Sequence, residues 1–263
     1  MRLKKFAAGA AALVLSTALI AGCGDKDDSN GSGDSNSSSG GQAAGELTKD
    51  NFAEQIGTAM QEAGSVHVKM TSGSLLEAEG DQSMGESAAD STMSLTMTTQ
   101  GITMDMILID QKLYMNMGSV TRDKYAVVDL TDSSNPVTAQ FGSLAEQTDI
   151  SKQFETFKDA LKKFEKADKS EKIDGVDTQA YDITVDAKKL AEAQGQDASI
   201  MPDTVTYRFF VGSDNLVRRM SLDLMGQNLT MDFTDWGKDV SIEKPKDSDI
   251  SDVDLASLMG GAG

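Results

Sequence analysis

One thiol and one imidazole, Cys23 and His67, are the only side chains of their kind in 263 residues. A single Cys cannot form an intramolecular disulfide or a zinc or iron–sulfur centre that needs several thiolates, so those classes are excluded. A single His would have to serve as the base of any Ser–His–Asp arrangement. It follows the first helical pattern inside the alternating run Ser65-Val66-His67-Val68, and the chain has no nucleophile-elbow motif. His67 is therefore read as a structural or surface residue. The 42 acidic side chains could contain a catalytic pair, but carboxylates this abundant belong mostly to solvated faces. Against 24 Lys and Arg they give a net charge of −18, which argues against a nucleic-acid partner because phosphate affinity comes from basic residues. Asp28, Asn30, Ser32 and Gly33 mimic the opening of an EF-hand loop, yet the twelfth position is Ser39 in place of the bidentate Glu. The residues thus describe a chain with no enzyme activity, no cofactor and no metal.

What Cys23 can do is accept a lipid. Arg2, Lys4 and Lys5 precede an uncharged run from Phe6 to Gly22, the layout of an export signal. The run is shorter than the roughly 20 residues that a spanning helix needs. It ends Leu19-Ile20-Ala21-Gly22-Cys23, which resembles a bacterial lipobox: the small residues admit a peptidase, and the thiol takes a diacylglyceryl group as a thioether. Two or three acyl chains such as palmitate make a stable anchor, each buried methylene contributing about 0.8 kcal/mol. The expected organisation is a signal peptide over 1–22, a lipidated Cys and tether over 23–45, a folded domain over 46–247 and a flexible acidic and Gly-rich tail over 248–263. The tether holds six Gly and six Ser among the 22 residues from Gly24 to Gly45, a coil spanning about 25 Å. Removing the signal takes away three of the 24 basic residues and leaves a net charge of −21. Anionic headgroups repel such a chain, so contact with lipid has to be apolar.

Positioning elements follow from hydrophobic periodicity. Thr48 as N-cap and Phe52, Ile56, Met60 and Ala63 predict a helix near 49–63, ended by Gly64. Phe154, Phe157, Leu161 and Phe164 predict a second helix after Ser151, and Asp186 caps a short third one near 187–193. The remaining patterned segments alternate with period two and read as strands. Met93, Leu95 and Met97 share one face, as do Met104, Met106 and Leu108, and then Leu113, Met115 and Met117. Later runs are Tyr181 to Val185, Val205 to Val211, Met220, Leu222 and Leu224, and finally Leu229, Met231 and Phe233. Gln100-Gly101, Asp174-Gly175 and Gly226-Gln227-Asn228 mark turns between them. Gly73 to Asp90, acidic and without periodicity, reads as a mobile loop that could alter the mouth of a cavity. The expected class is α+β: a curved antiparallel meander closed by two or three helices.

Of 15 methionines, Met93, Met97, Met104, Met106, Met115, Met117, Met220 and Met231 fall on these apolar faces. Flexible thioethers suit ligands of variable shape, and they equally fill an ordinary core. Periodicity leaves both readings open. The candidate cavity set is these eight with Leu95, Leu108, Leu113, Leu222, Leu224 and Phe233.

From Phe52 to Pro245 the chain resembles the actinobacterial lipoprotein family typified by LppX and LprG. The segments that carry the resemblance are Ser65-Val66-His67-Val68, Lys112-Leu113-Tyr114-Met115, Lys124-Tyr125-Ala126-Val127-Val128-Asp129, Asp214-Asn215-Leu216-Val217-Arg218-Arg219 and Leu229 to Lys238 with Trp236 near its end. The resemblance implies a half-barrel like that of the lipoprotein carrier LolA, with helices enclosing an apolar cavity. It also implies binding and movement of lipid or lipoglycan across the envelope, in some members beside a membrane transporter. On this reading the chain is exported and anchored by lipid to the outer face of the cytoplasmic membrane. The rival reading is a lipoprotein sensor or scaffold whose interior is filled and whose outer face docks a membrane partner.

Overall fold

Phe52, Ile56 and Met60 recur every four residues and form the buried stripe of helix α1 (Phe52–Ala63). Asn51 occupies the N-cap position, later than the expected Thr48; its Oδ1 accepts from the Thr48 N–H at 2.7 Å. Gly64 stops the helix at φ 75°, a left-handed conformation that disfavours any residue with a Cβ, and its N–H returns to the Met60 carbonyl at 3.1 Å. The structure, a computed structural model, describes residues 46–132 apart from 74, 86 and 88, residues 158–193, and residues 198–252 apart from 225. The signal, Cys23, the tether, Phe154, Phe157 and residues 253–263 lie outside the described residues.

Six strands follow α1 as consecutive hairpins: β1 (Ser65–Ser72), β2 (Leu76–Ser83), β3 (Thr92–Thr99), β4 (Ile102–Ile109), β5 (Lys112–Asn116) and β6 (Ala126–Asp129). Five more form a second run: β7 (Leu161–Ile173), β8 (Val176–Asp186), β9 (Thr204–Gly212), β10 (Val217–Leu224) and β11 (Gln227–Thr234). Helix α2 (Ala187–Ala193) interrupts this run, and the Asp186 carboxylate accepts from the Lys189 N–H at 3.1 Å as expected of its cap. All eleven strands form one open antiparallel sheet, ordered β6-β5-β4-β3-β2-β1-β11-β10-β9-β8-β7. The two meanders meet where β1 pairs with β11, from His67 opposite Thr234 to Ser72 opposite Leu229. Gln100-Gly101 and Asp174-Gly175 each have two consecutive positive φ values, the geometry that matches the twist of a two-residue hairpin.

Two expectations are corrected. Leu161 and Phe164 lie on a strand, not on the predicted second helix; among the described residues before them, only 158–160 are helical. Leu161 pairs with Val185, Lys163 with Thr184 and Phe164 with Ile183, so a bulge at Lys162 puts residues three apart on one face of a strand. The inserted residue reproduces helical spacing inside a sheet. Likewise Leu76–Ser83, inside the expected mobile loop, is β2, paired along its length with β1 and β3. Its inward positions are Leu76, Ala78, Gly80 and Gln82 and its outward ones Glu77, Glu79 and Asp81, so alternation is present in direction but weak in hydrophobicity after Leu76.

Beyond β11 the chain returns to the sheet. The Gly237 N–H donates to the Ser65 carbonyl at 3.0 Å, and the Ser65 hydroxyl donates to the Lys238 carbonyl at 2.6 Å. Residues 247–249 make a single 3-10 turn, and the Tyr125 N–H donates to Asp249 while the Ser251 N–H donates to Tyr125. The loose tail expected from 248 is thus attached at Tyr125, just before β6, as far as Ser251.

One face of the sheet carries both helices and the core. Phe52 of α1 packs on Phe164 with ring centroids 5.2 Å apart, and Phe164 packs on Tyr181 at 5.4 Å. The other face carries ion pairs and a small buried cluster of Ile173, Ala180 and Phe210. Asp182 receives two hydrogen bonds from Arg208, both 2.7 Å, and the guanidinium holds its carboxyl below the ordinary value of 3.8. A carboxylate with a depressed folded-state pKa stabilises the fold above its unfolded value, and that contribution is lost as pH falls through the folded value. The pair is partly exposed, so Asp182→Asn is expected to cost at most about 1 kcal/mol at neutral pH in urea unfolding. The difference from the parent should vanish as the pH is lowered below the 3.8 reference.

Candidate functional site

Register places the inward side chains of neighbouring strands in continuous rows. One row runs Met104, Met97, Ala78, Met70, Met231, Met220, Phe209, Tyr181, each residue the cross-strand partner of the next, from β4 to β8. A second runs Ala126, Met115, Met106, Leu95, Gly80, Val68, Phe233. A third runs Val128, Leu113, Leu108, Met93, Gln82, Val66. Cross-strand neighbours about 5 Å apart pack directly, so the rows form one apolar surface rather than separate patches.

Where the rows cross β1 to β3 there is a small, largely apolar hollow lined by Val68, Met70, Ala78, Gly80, Asp81, Gln82, Met93, Ser94, Leu95 and Met231. Gly80 sits at its centre. A Cβ there would collide with the Ser94 carbonyl oxygen and come within 2.8 Å of Leu95 Cα. The backbones of β2 and β3 can therefore approach this closely only where one strand lacks a side chain.

Most of the expected cavity residues fall into three groups. Met93, Leu95 and Met231 line the pocket. Leu113 and Met115 are buried with Ala126 and Val128 in a second cluster toward the β6 edge, on which Met104, Met106 and Met117 lean half-buried. Met106 and Met97 also touch the main core, so Met106 links the two clusters. Met220, Leu222 and Phe233 are buried in the main core with α1 and α2. Leu108 is half-buried beside Leu113, and Leu224 pairs through its backbone with Gln227. Val68, Met70, Ala78, Gly80 and Gln82 were not among the expected residues. Val66, Val68 and Met70 alternate in plain view, whereas β2 offered no apolar signal.

His67 faces away from the pocket. Its Nδ1 lies 2.7 Å from Asp81 Oδ1 and its Nε2 3.4 Å from Glu79 Oε1. Lys69 lies beside it, 3.2 Å from both Glu77 and Glu79; hydrogen bonding to these carboxylates raises the ammonium pKa and lowers that of Glu79. This network explains the imidazole as part of an ion cluster on the outer face. Among the described residues no three His, Cys, Asp or Glu side chains are grouped to hold a metal ion. On the inner face Tyr207 is nearly sealed, and burial pushes its hydroxyl up to about 12, so it stays neutral at physiological pH. Trp236 stacks on Phe233 at 6.2 Å and donates its Nε1–H to the Val217 carbonyl at 2.9 Å, so it packs as an anchor between the last strands. No helix among the described residues is long and apolar enough to cross a membrane.

No family model matches the sequence, and no curated protein sequence matches it. Solved structures do match the fold. The lipoprotein LppX of Mycobacterium tuberculosis superposes with a TM-score of 0.51 at 13% identity, covering 74% of this chain and 100% of LppX. LprF from Mycobacterium bovis follows with a TM-score of 0.48 at 14% identity over 74% of this chain and 97% of its own. An uncharacterised conserved protein from Thermus thermophilus gives 0.39 at 7% identity over 75% and 97%. The eleven-stranded open sheet with helices on one face is the fold of the LppX-type lipoproteins.

Proposed function

We propose that this chain is an envelope lipoprotein, held by acyl chains on Cys23, whose inner sheet face binds an acylated lipid or lipoglycan and carries it across the envelope. The observation that carries the reading is the cross-strand row from Met104 to Met220, five methionines and Ala78, leading across the small apolar pocket. Branched or aromatic residues would pack that surface more rigidly; thioethers let it yield to chains of different length. The LppX-type fold supports the reading. Transfer of an acyl chain from bilayer to such a face exchanges one dry environment for another. The barrier is the exposure in between, up to about 12 kcal/mol for a sixteen-carbon chain at about 0.8 kcal/mol per methylene. A face close to the membrane on a short tether reduces that exposure. The carrier receives its lipid from the membrane or from a membrane transporter, and no catalytic step is part of the proposal.

The second reading, a sensor or scaffold, draws on the burial of Met220, Leu222 and Phe233 in the core shared with the helices, which fills that half of the face with protein. The carrier reading accordingly assigns lipid to the β2 to β5 half, where Met93, Met97, Met104 and Met106 are only half-buried.

Three outcomes are expected. The mature chain with Cys23→Ser, purified from its own host and extracted for mass spectrometry, should release close to one lipid per protein; an empty, well-folded chain would favour the scaffold. Met106→Trp combined with Met115→Trp should reduce lipid loading severalfold while leaving the circular dichroism of the strands unchanged, and unaltered loading would remove this half of the face from the site. In cell fractionation the Cys23→Ser chain should leave the membrane for the soluble exported fraction, whereas the parent stays membrane-bound.

A further inference from the structure

The pocket wall contains one group that an apolar wall would not hold for packing alone. Gln82 is 2% exposed and sits between Val66 and Met93 on the inner face, and its Nε2 has no hydrogen-bond partner among the described residues. Buried amide donors are almost always paired, and an unpaired one is destabilising, so its place here calls for an acceptor that the described residues do not supply. Its neighbours in the wall, Val68, Met70, Ala78, Leu95 and Met231, offer only apolar side chains. Gly80, two residues away on the same strand, also lines the hollow; its missing side chain is what lets the β3 backbone close in beside it. The single charged residue of the wall, Asp81, is turned to the other face, where it meets His67 at 2.7 Å.

We propose that Gln82 is the specificity residue of the pocket, donating a hydrogen bond to the acyl ester carbonyl of the bound lipid. One unpaired buried donor in a wall whose surface is almost wholly apolar matches one acceptor flanked by hydrocarbon, and the carbonyl at the root of an acyl chain is such a group. A phosphate or sugar headgroup requires several donors or a cation, which this wall lacks, so the headgroup stays outside and the ester linkage marks the depth of insertion. An ether oxygen is a poorer acceptor, so ester-linked chains are favoured over ether-linked chains of equal length. The inference rests on the lipid-binding reading above and names the feature of the lipid that is read.

The test uses the mature Cys23→Ser chain, stripped of lipid, and competition of dipalmitoylglycerol or its dihexadecyl ether analogue against a fluorescent fatty acid. The parent should prefer the ester by about tenfold, equivalent to about 1.4 kcal/mol. Gln82→Leu and Gln82→Met should bind the ether lipid as the parent does and lose the preference. Both variants, when empty, should melt at or above the parent's temperature, because a partnerless buried amide has been removed. Preference for the ester retained in both variants, no preference in the parent, or a lowered melting temperature with unchanged selectivity would each overturn the role of Gln82. Failure of the parent to bind either lipid would overturn the carrier reading with it, whereas equal binding of both lipids by the parent would overturn only the inference.

Discussion

Everything in this domain depends on the pairing of β1 with β11. Each meander is built from local hairpins, but the two halves become one sheet only when His67 to Ser72 align with Leu229 to Thr234, more than 150 residues later in the chain. Closing so long a loop is costly in chain entropy, though the cost grows only slowly with loop length. The gain is that β1 acquires a partner on both sides, and the row from Met70 to Met231 joins the two apolar surfaces across the seam. The ends of the same strands are tied by Ser65, which accepts from Gly237 and donates to Lys238. Helix α1 enters immediately before β1 through Gly64, so it is laid over the seam by connectivity as well as by its stripe of Phe52, Ile56 and Met60. A fold closed by such remote contacts is expected to form slowly compared with its component hairpins.

The two faces of the sheet solve different problems. Outward, the acidic excess is organised by a few cations: Lys69 between Glu77 and Glu79, Arg208 on Asp182, Arg219 on Asp232 and Glu171. Exposed pairs of this kind contribute little each, but they keep like charges on neighbouring strands from facing one another unpaired. Inward the described side chains are mostly apolar, and shape dominates. Gly80 lets two backbones come close, Ala78 beside it is small, and the long thioethers of Met70, Met93 and Met231 reach around the resulting gap. The pocket is thus a consequence of two small residues on one strand rather than of a space held between separate layers.

Much of this architecture was legible before the structure. The hairpins from Met93 to Met117 and from Tyr181 to Phe233 announce themselves by alternation and by positive-φ turn residues, and Asp186 caps its helix as its position suggested. Two elements were not, each for a physical reason. Strand β2 alternates acid with Ala, Gly and Gln, so its period is real in direction and invisible in hydropathy. Strand β7 places Leu161 and Phe164 on one face through a bulge at Lys162, and a spacing of three is what a helix also produces. The candidate site suffered from the first of these: a pocket whose floor is β2 could not be drawn while β2 was read as a loop. Its methionine walls were found and its centre was missed.

That miss is informative about function. A strand that were only structural could carry Val or Ile in place of Ala78 and Gln82, as β1 does at Val66 and Val68, and would gain both β-propensity and burial, while Gly80 is held by the close approach of β3. Instead the inward series Ala78, Gly80, Gln82 gives up apolar area on the strand next to the seam, where packing would stabilise most. The sheet keeps its fold because β1 and β3 pair with β2 along its full length through backbone hydrogen bonds that are indifferent to side chains. Stability is therefore supplied by the neighbours, and the inner surface of β2 is free to be shaped by something other than packing. A small apolar hollow with one donor in its wall, at the seam on which the whole sheet closes, is what that freedom produces.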